Sequence, residues 1–105
     1  MSKLKSKYPN IEEYKIGDRV LILREVHCIY RWENGHNSHK YLELFNYDLP
    51  LQVFITGKTW LCEGTRINNH GEQNTFKCKK RIPVYTGKCT LTGRELKFRQ
   101  SDIES

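Results

Sequence analysis

The sequence predicts a mainly β fold, a small barrel or two-sheet sandwich with extended loops and at most one short helix. Three observations carry that expectation. Apolar stretches recur roughly every ten residues, glycine turns separate them, and helical periodicity is almost absent. The 105 residues suit one domain, read as 11–105, behind a basic N-terminal arm over 1–10. A hydrophobic share of 37% against 29% charged residues implies a compact body with a large polar surface. Apolar residues spread along the chain exclude a disordered polymer.

In chain order, Lys3, Lys5 and Lys7 mark the arm, a segment that frays or grips anions. Asn10 to Tyr14 reads as a single helical turn, with Asn10 as cap and Glu13 three positions on. Tyr14 to Val26 is a strand led in by Gly17-Asp18. Val20 and Ile22 face one way and Leu21 and Leu23 the other, the pattern of a strand covered on both faces. Cys28 to Trp32 continues the strand after a bend at His27. Glu33 to His39 is a loop with Asn34-Gly35 as its turn. Lys40 to Tyr47 fits a strand or a short helix equally, and Asp48-Leu49-Pro50 ends it.

Leu51 to Thr56 and Thr59 to Ile67 are two strands split at Gly57-Lys58, and Asn68 to Asn74 is a second loop. Thr75 to Tyr85 alternates. Phe76, Cys78, Ile82 and Val84 share one face, interrupted by Lys80, and Lys77, Lys79 and Arg81 share the other. Pro83 cannot donate to a ladder and marks an edge or an end. Gly87 to Ile103 forms a hairpin around a type II′ turn at Gly93-Arg94, which sets Leu91 opposite Leu96 and Cys89 opposite Phe98. That register also puts Lys88 across from Arg99, a like-charge pair that an anionic ligand would relieve.

Ile16-Gly17-Asp18-Arg19-Val20-Leu21-Ile22 resembles the first strand of SH3-like barrels, including the KOW and Tudor-type groups. Leu96-Lys97-Phe98-Arg99-Gln100-Ser101-Asp102-Ile103 resembles their last strand and the short turn after it. The resemblance covers about a fifth of the chain and is weakly specific. It implies an SH3-like barrel with first and last strands as neighbours, and binding of nucleic acid or protein by analogy. The middle departs from the pattern. It is longer than a minimal barrel needs and lacks both a KOW-type glycine pattern and a Tudor aromatic cage.

Eighteen Lys and Arg against twelve Asp and Glu give a net charge of +6, which favours polyanionic partners. The candidate nucleic-acid-binding residues are Lys77, Lys79 and Arg81 on one strand with Lys88, Lys97 and Arg99 on the next, flanked by Lys80 and Arg94. A coplanar patch of that kind meets backbone phosphates and releases counterions. A lysine-guarded edge strand gives the same alternation. Tyr30, Trp32, Tyr41, Trp60 and Tyr85 each sit near a cation, and Trp32 and Tyr85 are the rings expected to be exposed for stacking.

Cys28, Cys62, Cys78 and Cys89 lack metal-ligand spacing, and the start Met-Ser-Lys-Leu-Lys carries no apolar signal core. The expectation is a cytoplasmic protein with reduced thiols, Cys62, Cys78 and Cys89 buried and inert, and no metal, cofactor or membrane partner. The function read from these features is non-catalytic binding of RNA, DNA or a nucleoprotein complex through the C-terminal cationic strands. A protein-binding adaptor or inhibitor, acting through the loops or a strand edge, is the alternative. A metal-independent ribonuclease using His27, His36, His39 and His70 is a third.

Overall fold

A computed structural model describes residues 13–34, 37–67 and 75–104. Strands β1 (Arg19–Asn34), β2 (Asn37–Ile67), β3 (Thr75–Cys89) and β4 (Glu95–Phe98) form one antiparallel sheet in the order β1-β2-β3-β4. A single 3-10 turn follows at Gln100–Asp102. The mainly β expectation holds, and the sheet is open. The segment after the 3-10 turn returns to β1, where Ile22 bridges to Ile103 and the Glu104 N–H donates to the Leu21 carbonyl at 2.7 Å.

β2 and β3 are long because each serves two partners, and β1 is long because it follows the first half of β2. The first half of β2 pairs with β1 from Asn37↔Asn34 to Asn46↔Arg24, and its second half pairs with β3 from Gly57↔Thr86 to Ile67↔Thr75. These segments make two hairpins, arm 1 (24–34 with 37–46) and arm 2 (57–67 with 75–86). Between them a short body unites Arg19–Ile22, Leu51–Ile55, Tyr85–Cys89 and β4. Its core is Val20, Ile22, Val53, Ile55, Tyr85, Cys89, Leu96, Phe98 and Ile103, with Tyr14, Tyr47 and Leu51 packed against it. Phe98 is fully buried and stacks on Tyr85 at 5.7 Å between ring centroids.

Several expectations are corrected. β1 begins at Arg19, not Tyr14, because Lys15 to Asp18 closes a turn: the Asp18 N–H donates to the Lys15 carbonyl and the Lys15 N–H to Asp18 Oδ2. Gly17 takes φ +93° there, which favours glycine. Leu21 and Leu23 remain partly open, so that face of β1 is not covered. The polar stretch Glu33 to His39 is mostly strand, since β1 runs to Asn34 and β2 starts at Asn37. Lys40 to Tyr47 is strand. The proposed break at Gly57-Lys58 is a register shift between Ile55 and Gly57 inside a continuous β2. The arm 1–10, most of the turn at Asn10 to Tyr14, and the loop Asn68 to Asn74 lie outside the described residues.

The terminal hairpin also differs. The Cys89 N–H donates to the Arg94 carbonyl and the Gly93 N–H to the Cys89 carbonyl, so the loop holds four residues, Thr90 to Gly93, with Gly93 at φ +72°. Leu96 therefore faces Gly87, Phe98 faces Tyr85, and Lys88 faces Glu95. The expected Lys88–Arg99 repulsion does not arise. Leu91, expected to pack on Leu96, is 89% exposed. Pro83 lies past the end of β4, where β3 has a free edge, as a residue without an N–H requires.

Candidate nucleic-acid interface

The six expected cations do not form one plane. The β2–β3 register shifts between Glu63 and Gly64, leaving Lys79 as the extra residue of a β-bulge. The shift breaks strict alternation. Lys77 (opposite Thr65) and Lys80 (opposite Glu63) fall on one face of arm 2, and Arg81 (opposite Cys62) falls on the other. Lys88 and Lys97 lie on the body, and Lys88 is tied to Glu95 with Nζ–Oε1 at 4.0 Å. Arg99 is committed elsewhere. Its Nε and terminal nitrogen reach Asp102 Oδ2 and Oδ1 at 3.1 and 2.9 Å, and its own N–H reaches Oδ2 at 2.8 Å.

Asp102 is fully buried and also has Arg24 Nε at 2.8 Å, a charge contact not aligned as a hydrogen bond. This carboxylate raises the Arg99 pKa and fastens the 3-10 turn to β1. Lys77, Lys79 and Lys97 are exposed, whereas Arg99 serves the fold.

What the sequence reading missed is the face that Arg81 joins. Following the register, Lys58, Trp60, Cys62, Gly64 and Arg66 of β2 share a face with Phe76, Cys78, Arg81 and Pro83 of β3. Three cations and three aromatic rings occur there, the third being Tyr85 opposite Lys58, buried at the base of the arm, and no carboxylate. Arg81 lies over the Trp60 ring at 4.5 Å from its centroid. At the far end the two arms interlock. Arg66 lies over Tyr30 at 5.1 Å, and Lys40 lies over both Tyr30 (5.7 Å) and Phe76 (5.3 Å). Eight residue steps separate Lys58 from Arg66, about 26 Å of strand at ~3.3 Å per residue. At the base, a cleft of about 990 Å³ lies between Lys15 and Lys58, walled by Tyr14, Ile16, Thr56 and Thr86.

The arms are positioned by polar bonds between them. The Leu42 N–H donates to Glu63 Oε2 at 2.9 Å, and Thr65 Oγ1 lies 3.3 Å from His39 Nδ1. Glu63 is thereby engaged on the face opposite the cationic stripe. Of the rings expected to be exposed, Tyr85 is instead fully buried against Phe98, and the Trp32 side chain lies outside the described residues. Tyr30, at 47% exposure, is the open one. Its signal in the sequence was its place among Arg31, Lys40 and Arg66, which only pairing across strands brings together.

A second polar cluster braces the body. Glu25 is buried, with His27 Nε2 at 2.9 Å from Oε1 and Arg94 at 3.1 Å from Oε2. Burial alone pushes its carboxyl up, but His27, Arg94 and Tyr47 together hold it below its ordinary value. Tyr47 responds in the opposite sense. Burial and the neighbouring Glu25 carboxylate push its phenol up to about 12.

His27 pairs with Glu43 and His39 with Arg31 four steps along the same ladder, so the two imidazoles stand about 13 Å apart along the strand at ~3.3 Å per residue. One phosphodiester cannot engage both as acid and base. His36 and His70 lie outside the described residues. Among the described residues no three His, Cys, Asp or Glu are grouped to hold a metal, and no helix is long and apolar enough to cross a membrane. Comparison with protein-family models, with curated proteins and with solved structures found no match.

Proposed function

We propose that the chain is an SH3-like barrel with two hairpin arms that binds nucleic acid, alone or within a nucleoprotein complex, without catalysis. The observation that carries this reading is the acid-free face of arm 2, where Arg81 over Trp60 and Arg66 over Tyr30 set cations against rings along one stripe. Cations meet backbone phosphates, and rings that partner guanidinium groups offer stacking surface to unpaired bases. Single strands therefore suit the stripe better than a duplex. Lys79, at the bulge, flanks it, and Lys97 extends the positive field over the body. The SH3-like assignment rests on the resemblance at the chain ends, and the Ile22–Ile103 bridge is compatible with it.

The test is fluorescence anisotropy with labelled single-stranded RNA and DNA. Replacing Arg66 and Arg81 together by Glu should weaken binding at least about tenfold, the loss of two or more charge contacts. Replacing Lys77 and Lys80, on the opposite face, should weaken it less. Unchanged affinity in the Arg66→Glu, Arg81→Glu protein would contradict the assignment.

The adaptor reading is favoured by a different observation: Leu49 in β2 and Leu91 in the terminal loop stand 79% and 89% exposed. A partner retained after nuclease treatment and lost on substituting both leucines by Ser would support it instead.

A further inference from the structure

Two of the four cysteines come together in the middle of the cationic stripe, although sixteen positions separate them in the sequence. Cys62 lies opposite Arg81, and Cys78 lies opposite Gly64, so both thiols stand on the same face of arm 2 as diagonal neighbours across β2 and β3. Gly64 places no side chain between them. It has to be glycine, since a Cβ there would overlap the Lys77 carbonyl. The bulge at Lys79 falls immediately after Cys78 and increases the local twist of the pair. The Cys78 thiol is the largest single influence raising the Cys62 pKa, and Cys78 Sγ itself donates to the Lys80 carbonyl at 3.6 Å. Cys78 is exposed and Cys62 half-buried, which overturns the expectation that both are buried. The other two differ: Cys89 is buried in the core, and Cys28 is half-buried on arm 1.

We infer that Cys62 and Cys78 form a redox-active dithiol that closes to an intramolecular disulfide by exchange with a low-molecular-weight disulfide such as oxidised glutathione. The exposed Cys78 thiolate attacks one glutathione sulfur, forming a mixed disulfide and releasing one glutathione thiolate. Cys62 then gives up its proton and attacks the Cys78 sulfur, forming the Cys62–Cys78 bond and expelling the second glutathione. In sum, two protein thiols are oxidised by two electrons and one glutathione disulfide is reduced to two thiols. The order of steps follows from access, and it agrees with the raised Cys62 pKa, which its contact with Cys78 and its burial produce while Arg81 and Lys40 oppose it. Closure staples β2 to β3 beside Arg81, whatever ligand the stripe binds. The inference does not rest on the proposed function.

The experiment incubates the folded full chain in oxidised glutathione under native conditions, quenches with acid, and maps peptides by mass spectrometry without reduction. The expected product is a monomer lighter by two hydrogens, with peptides containing Cys62 and Cys78 joined. Cys62→Ser should instead accumulate a glutathione adduct on Cys78, because the resolving thiol is gone. Cys78→Ser should leave Cys62 largely unmodified. A wild-type chain that accumulates the Cys78 mixed disulfide as stably as Cys62→Ser does, or that joins Cys28 or Cys89 in place of this pair, would overturn the inference. Circular dichroism of both serine variants establishes that they remain folded, and the wild-type peptide map decides the outcome even where a variant does not fold.

Discussion

At the scale of single residues, Asp102 does the most for the least surface. It has no exposed area, yet Arg99 grips it with side chain and backbone while Arg24 closes in from β1. A buried carboxylate in such company is costly to disturb, because removing it leaves two guanidinium groups and a backbone N–H without their acceptor. Asp102→Asn should destabilise the fold by about 3 kcal/mol, the low end for breaking a buried pair, since both arginines stay about one-third exposed and can reach water. Urea denaturation of the two proteins measures it.

Glu25 supplies a pH dependence of known sign. Its folded pKa is depressed, so its contribution is present above the unfolded value near 4.5 and lost as pH falls through the lower folded value. Wild-type stability should therefore decline on acidification below about pH 5, and Glu25→Gln should flatten that decline while starting from a lower stability at neutral pH. Denaturation midpoints at several pH values check both statements. Neither cluster was legible in the sequence. Asp102 and Arg99 were visible only as parts of a terminal stretch, and Arg24 reaches Ser101 and Asp102, and Arg94 reaches Glu25, across separations that no local spacing encodes.

At the scale of elements, bulges decide which side chains share a face. Strict alternation places Lys77, Lys79 and Arg81 together, but the extra residue at Lys79 sends Arg81 to the side of Trp60. The sequence carries a mark of this in Gly64, a small residue where β3 comes closest, though a lone glycine in a strand does not say which partner residue is extra. The strand content of the chain was readable from period and turn residues, and so was the free edge at Pro83. The length of β2 was not, because Gly57 and Pro50 look like breaks until both of its neighbours are known.

Gly64→Ala is the element-scale test. A methyl group there overlaps the Lys77 carbonyl, so the bulge must open, at a cost of about 1–3 kcal/mol. Hydrogen exchange should show faster exchange of amides in arm 2 with protection in the body unchanged, because only Tyr85, at the base of the arm, belongs to the core cluster.

At the scale of the whole molecule, a small body holds two long arms whose tips are linked by Arg66, Tyr30, Lys40 and Phe76. The net charge of +6 was plain from composition, and its arrangement was not. Arg99, Lys88 and Arg94 are spent on Asp102, Glu95 and Glu25, while Lys58, Arg66 and Arg81 line a face with no acid on it. Binding to a nucleic-acid strand would then draw on the arms, with the body as scaffold.

The most direct measurement is the association constant for a labelled single-stranded oligonucleotide across a series of salt concentrations. Engagement of about four phosphates by the stripe and its flanking lysines gives a log–log slope near −3, at ~0.7 per phosphate for single strands. The Arg66→Glu, Arg81→Glu protein should show a shallower slope. No binding at low salt, or an affinity indifferent to salt, would contradict an electrostatic interface on arm 2.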